Sequence, residues 1–285
     1  MAKLKGVNKS NNDMNKVVSQ IEDENIRTLS DEIEIGEDGY VHDVPLLAGY
    51  VDDYGVLHNT FTYREMTGKD EEAINKADVR SNGAKMVNVL VERCVVAIGT
   101  LTKKECGARW GTIIREMLGG DIDYMAFKIR ELSKGKEVEF THICPKCGTK
   151  LQTIMNTDEF ELKPFMGQSV IDFSLPRGFK DGKGDVYKDG VIRLPNGFDR
   201  EVVTPLFKKN SSTAMTVLLT RLMSINEGEV MITQNLVNNM SLRDRDVLER
   251  IIKDNAFGIN TVIDNLTCTS CGTIISGQVG ESNFL

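Results

Sequence analysis

The spacing of apolar positions changes several times along the chain, and each change marks a new element. Residues 1–42 hold few large apolar side chains among many Asn, Ser, Asp and Glu, which predicts a polar arm with one possible helix over 15–26. Apolar-rich strand-like runs over 44–51 and 56–66, split by Asp52, Asp53 and Gly55, predict two strands. Thr67-Gly68-Lys69-Asp70-Glu71 reads as a helix start, with Thr67 as N-cap and acids where the helix dipole favours them. Helical periodicity follows over 84–101, 108–118 and 121–132, the last with Ile122, Met125, Ala126, Ile129 and Leu132 on one face. Short strands are predicted at 137–143 and 151–155. Residues 163–190 read as a linker with a glycine-rich hairpin insertion, the turn signalled by Asp189-Gly190. Further helices are expected over 212–225, 230–240 and 242–253, the last opened by a Ser241/Asp244 capping box.

One string returns. Cys144-Pro-Lys-Cys147-Gly-Thr149 reappears as Cys268-Thr-Ser-Cys271-Gly-Thr273, 124 residues on, and the same shift carries Phe160 onto Phe284. Leu90-Val91-Glu92-Arg93 is matched by Leu218-Leu219-Thr220-Arg221, and Asp121-Ile122-Asp123 by Asp244-Arg245-Asp246. Arg64-Glu65-Met66-Thr67-Gly68 aligns with Arg200-Glu201-Val202-Val203-Thr204-Pro205 with one residue inserted. The expectation is an α+β fold of two tandem repeats, each a small β element, a helical body and a CxxCG hairpin. The boundaries are an arm at 1–42, a first unit at 43–162, the linker at 163–190 and a second unit at 191–285.

Composition narrows the function. The 285 residues carry 35 Lys and Arg against 42 Asp and Glu, a formal charge of −7, which disfavours general binding of polyanions. No apolar run reaches the ~20 residues that a membrane helix needs, and the N-terminus has no apolar signal core. The three histidines, His42, His58 and His142, lie in no catalytic motif, and no phosphate-binding glycine loop follows a strand. No enzyme activity and no small-molecule substrate are expected.

Four of the six cysteines sit in the two CxxCG strings. Four thiolates match zinc in charge, softness and tetrahedral number, so Cys144, Cys147, Cys268 and Cys271 are the predicted ligands of one structural Zn2+. A pair of metal-free turns with reduced thiols is the alternative. Cys94 and Cys106 read as small buried hydrophobes, Trp110 as core and His142 as a surface residue. The acids of the Asp-x-Asp pairs suit helix starts, and Arg93 and Arg221, at matching helical positions, either pair with them or line a solvated face.

The run Phe61-Thr-Tyr-Arg64-Glu65-Met66-Thr67-Gly68-Lys-Asp-Glu-Glu72, followed by helices, an Asp-x-Asp helix and a CxxCG hairpin, resembles the baseplate proteins of contractile-tailed phages. The resemblance covers about 56–162 well and 191–285 more loosely, and the second copy is a departure. It implies a structural or assembly role in the baseplate hub, with other tail or baseplate proteins as partners. The location it implies is the virion tail, assembled in the host cytoplasm. The alternative function is a zinc-ribbon nucleic-acid binder or phage transcription regulator, which the acidic balance disfavours.

Overall fold

The structure, a computed structural model, describes residues 33–180, 184–225 and 228–278. The possible helix at 15–26, most of the arm, and Phe284 lie outside the described residues. The fold is α+β, with helices packed against several small antiparallel sheets.

In the first half, β1 (Val41–Val51) and β2 (Leu57–Tyr63) form a hairpin, with Asp52 Oδ1 accepting from the backbone N–H of Tyr54 and Val56 at its turn. Helices α1 (Gly68–Ile74), α2 (Ala77–Arg80) and α3 (Gly83–Cys94) follow. The sequence pattern extends the third helix to 101, but it stops at Cys94. Val95–Ile98 becomes β3, pairing Val95 with Tyr63 and Ile98 with Phe61, because β-branched residues gain more from the sheet than from a longer helix. With β4 (Leu101–Thr102) the sheet order is β1-β2-β3-β4. Then come α4 (Lys103–Cys106), α5 (Trp110–Glu116), α6 (Gly119–Lys134), the hairpin β5 (Glu137–Ile143) with β6 (Lys150–Asn156), and β7 (Glu161–Lys163). Phe61, Tyr63, Leu90, Trp110, Ile114, Met125 and Ile129 fill a first core, and the Trp110 indole N–H donates to Glu92 O.

The second half opens on β8 (Val170–Lys180) and β9 (Val186–Arg193), which join β10 (Met223–Ser224) in the order β10-β9-β8. Asp189-Gly190 therefore lies inside a strand and not in a turn. A Cβ at Gly190 would stand 2.7 Å from Phe173 Cζ, so the glycine serves close packing. Helices α7 (Gly197–Phe207), α8 (Ser211–Leu222), α9 (Gln234–Asn238) and α10 (Leu242–Asp254) enclose a second core with Leu175, Ile192, Leu219, Leu222 and Leu248. The chain continues as β11 (Gly258–Asn260), paired with β7, and the hairpin β12 (Val262–Thr267) with β13 (Ile274–Gln278).

Matching details recur in both halves. The β1–β2 register shifts between Pro45 and Tyr50, and the β8–β9 register between Ser174 and Phe179. Each irregularity holds a left-handed glycine, Gly49 at φ +82° and Gly178 at φ +72°, where a Cβ would meet the partner strand's backbone at 2.8 and 2.4 Å. Asp70 and Asp199, both fully buried, sit at the third position of α1 and α7 inside capping boxes with Thr67 and Asn196. Arg64 and Arg93 close on Asp70 at 2.7 Å each, while Arg193 and Arg221 close on Asp199 at 2.6 and 2.7 Å.

This geometry corrects two sequence expectations. Arg93 and Arg221 pair with Asp70 and Asp199, and not with the Asp-x-Asp acids. The place of Arg64 in the second half belongs to Arg193, not to Arg200. Arg200 and Glu201 instead join the halves: Arg200 donates to Asp123 (2.7 Å) and Gly119 O (3.1 Å), and Glu201 Oε1 accepts from Asn88 (2.7 Å) and Arg115 (2.9 Å). Through these bonds α7 seats on α3, α5 and the start of α6.

Candidate metal centre

Each cysteine pair caps a β-hairpin, and the two caps have one geometry. Cys144 N–H donates to Thr149 O and Gly148 N–H to Cys144 O, both at 2.9 Å; Cys268 to Thr273 and Gly272 to Cys268 repeat them at 2.9 Å. Gly148 and Gly272 are left-handed, at φ 72° and 67°, which reverses the chain with no Cβ to obstruct it. Cys147 Sγ lies 3.2 Å from Thr149 Oγ1, and Cys271 Sγ 3.2 Å from Thr273 Oγ1.

The tips face each other. Cys144 Sγ is 3.7 Å from Cys271 Sγ, Cys147 Sγ is 3.6 Å from Cys268 Sγ, and all four sulfurs lie within 4.8 Å of one another. A tetrahedron with zinc–sulfur bonds of about 2.3 Å has edges of about 3.8 Å, so the sulfurs stand close to the spacing that one such ion imposes. Cys144 and Cys268 are buried beside Leu151 and Ile275, whereas Cys147 is exposed.

Electrostatics point the same way. The Thr149 hydroxyl and backbone N–H draw the Cys147 thiol down to about 6, and Thr273 lowers Cys271 likewise. The Cys271 backbone N–H favours a thiolate at Cys268, yet burial and the neighbouring sulfurs push that thiol up to about 11. Four sulfurs this close cannot all ionise without a cation between them. The donor set is compatible with a metal site, and no histidine or carboxylate joins it among the described residues.

A family model described as T4 bacteriophage base plate protein matches residues 53–279. The chain belongs to that family. No curated protein and no solved structure matches it. The matched span runs without division through both cysteine hairpins of this baseplate protein, so the second half lies inside the family's extent and not beyond it. Membership carries a structural role in the phage baseplate, located in the virion tail among other phage structural proteins, and implies a non-enzymatic role. Among the described residues no helix is long and apolar enough to cross a membrane.

His142 departs from its expected surface place. Its ring packs edge-on to Phe140 at 4.7 Å, and its Nε2 is buried with no hydrogen-bond partner. A Cβ at Gly277 of the opposite hairpin would fall 2.2 Å from its Cε1. The ring is thus a wedge between hairpins that only a glycine admits.

Sequence reasoning also missed how Asp121 acts. Its carboxylate accepts from the backbone N–H groups of Leu47, Ala48 and Gly49 at 2.7–3.3 Å, pinning the β1 irregularity to α6. Burial pushes that carboxyl up to about 6 against those donors. Asp244 accepts from Arg177 N–H (2.9 Å) at the corresponding place on β8. The signal for both was an acid three residues beyond a helix N-cap, which reads equally as simple dipole compensation.

Proposed function

We propose that this chain works by contact in the baseplate hub, as a structural or assembly component made of two copies of one unit that a single zinc ion joins. Cys144 and Cys147 from one hairpin and Cys268 and Cys271 from the other would hold the ion, which supplies a cross-link and no reaction. The observation that carries this reading is the convergence of four thiols from opposite halves inside a chain of the baseplate family. The matched irregularities at Gly49 and Gly178, and the matched Arg–Asp–Arg clusters, support the two-copy reading. On this reading the second unit starts at β8, earlier than residue 191. Other tail or baseplate proteins are the partners, met during assembly in the host cytoplasm.

The test is to delete the gene from its phage and image the tails. Incomplete baseplates, restored by the intact gene but not by a Cys147→Ser/Cys271→Ser version, would support both the role and the metal. Complete tails without the gene would sink the structural reading. Salt-sensitive retention on DNA would favour a zinc-ribbon regulator instead.

A further inference from the structure

The seat of α7 on the first half is a head-to-tail contact: one surface of the second unit meets a different surface of the first. If the halves are copies, each surface has a counterpart elsewhere on the chain, and among the described residues no helix seats on α8 and α10 as α7 seats on α3, α5 and α6. Aligning Asp70 with Asp199 puts Gly68, Glu71 and Glu72 of α1 where α7 has Gly197, Arg200 and Glu201. Aligning Asp121 with Asp244 puts Leu242 and Arg245 of α10 where α6 has Gly119 and Ile122. Aligning Leu90 of α3 with Leu218 of α8 puts Thr216 where Asn88 receives Glu201.

We propose that a second copy of this chain docks its α1 on the α8–α10 face of the first, repeating between molecules the contact made within one. It rests on the two-copy reading. Three features carry it. Gly197 is required by its seat, since a Cβ would come within 2.9 Å of Arg115 Cα and Ile122 Cδ1; Gly68 has open space around it, and nothing among the described residues calls for glycine there. Next, a pair of sizes is exchanged. In the chain a long Arg200 lies along Gly119, whose Cβ would be 2.9 Å from Arg200 Cδ. Between copies a shorter Glu71 would lie along Leu242, which is 76% exposed despite its bulk. Last, the charges agree. Glu72 would arrive beside Arg245, whose guanidinium is nearly buried, donates to Thr216 Oγ1 (3.1 Å) and Ser212 O (3.3 Å) and has Glu249 at a loose 3.7 Å, as Glu201 arrives at Asn88 and Arg115. A contact of this kind leaves one free face of each type at the ends, so it grows into a ring or a filament, whichever its rotation allows.

Sedimentation of the full zinc-loaded chain tests this, with Gly68→Gln, Glu72→Arg and Leu242→Glu, all at exposed positions. The wild type should gain mass with concentration and lose it with salt, and each variant should associate at least about tenfold more weakly. Mixing Gly68→Gln with Leu242→Glu chains should give dimers and nothing larger, because each retains one sound face. A wild type that stays monomeric up to roughly 100 µM, association indifferent to all three substitutions, or a mixture that grows beyond dimers would overturn the proposal. If the monomeric protein still binds one zinc per chain, the self-association fails while the two-copy, zinc-joined reading stands.

Discussion

If one zinc ion joins the two hairpins, removing it is the perturbation with the most to reveal. A zinc ion holding Cys147 and Cys268 ties together positions 121 residues apart. In the chain-entropy picture, closing a loop of that length restricts the unfolded state by about 5 kcal/mol. The folded state keeps other joints: α7 on α3 and the β7–β11 pair do not involve sulfur. The apolar packing at the tips is small, with Leu151 and Ile275 buried between the cysteines. Cys268→Ser, or a chelator, should therefore lower stability by up to about 5 kcal/mol and free the hairpins before the cores. The assay is metal analysis with urea unfolding, read beside amide exchange. One zinc per wild-type chain is expected, with faster exchange over 138–156 and 262–277 in the variant and unchanged exchange in α3 and α6. Cys94→Ala should retain the metal. A zinc content near zero or two in the wild type, or equal stability with and without chelator, would refute the reasoning.

The Arg–Asp–Arg clusters give a second expectation: Asp70→Asn or Asp199→Asn leaves two guanidiniums without their buried counter-charge and should cost about 3 kcal/mol in urea unfolding. Burial opposes ionisation of both carboxyls, but their arginines and N-cap residues outweigh it and hold them below the usual carboxylate range. Their contribution is thus present above the unfolded-state value of about 4 and lost as pH falls below it, so the double variant should lose less stability on acidification. Gly49→Ala and Gly178→Ala should each cost about 1–3 kcal/mol, through positive φ and a Cβ forced against the partner strand, as thermal unfolding would show. Gly277→Ala should expel the His142 ring and speed zinc loss to a colorimetric chelator, leaving the helical content unchanged in circular dichroism.

Much of this was legible in the sequence because it is local. The cysteine spacing fixed the hairpin caps, and Thr67/Asp70 and Ser241/Asp244 marked helix starts that the structure retains. What escaped depends on contacts between distant segments. Val95–Ile98 continues a helical pattern and becomes a strand only because β2 waits beside it. Arg200-Glu201 imitates Arg64-Glu65 in letters, while the role of Arg64 passes to Arg193, which reaches Asp199 along with Arg221. His142 looked solvent-bound because nothing nearby in sequence announces Gly277 as its neighbour.

The two joints between the halves differ in symmetry, and this explains where the hairpins lie. The seat of α7 is head-to-tail. The cysteine tips are mutual: exchanging the halves swaps the 3.7 Å Cys144–Cys271 pair with the 3.6 Å Cys147–Cys268 pair. One rotation cannot make two rigid, identical units satisfy both contacts. If the halves are copies, something must depart from equivalence, and the second hairpin is the part that does. Val138 and Phe140 of the first hairpin pack into the first core, as their place in the chain suggests. Ile263 of the second hairpin packs into that same first core, with Leu266 and Ile259 beside it, rather than into the core of its own half. The strand preceding it, β11, is paired to β7, and Phe257 presses on Gly120 at a spot where only a glycine fits. On the two-copy reading, the second hairpin has swung from its own body onto its neighbour's. That displacement brings the tips together about a local twofold, a place suited to a metal because no large apolar surface remains there to hold them.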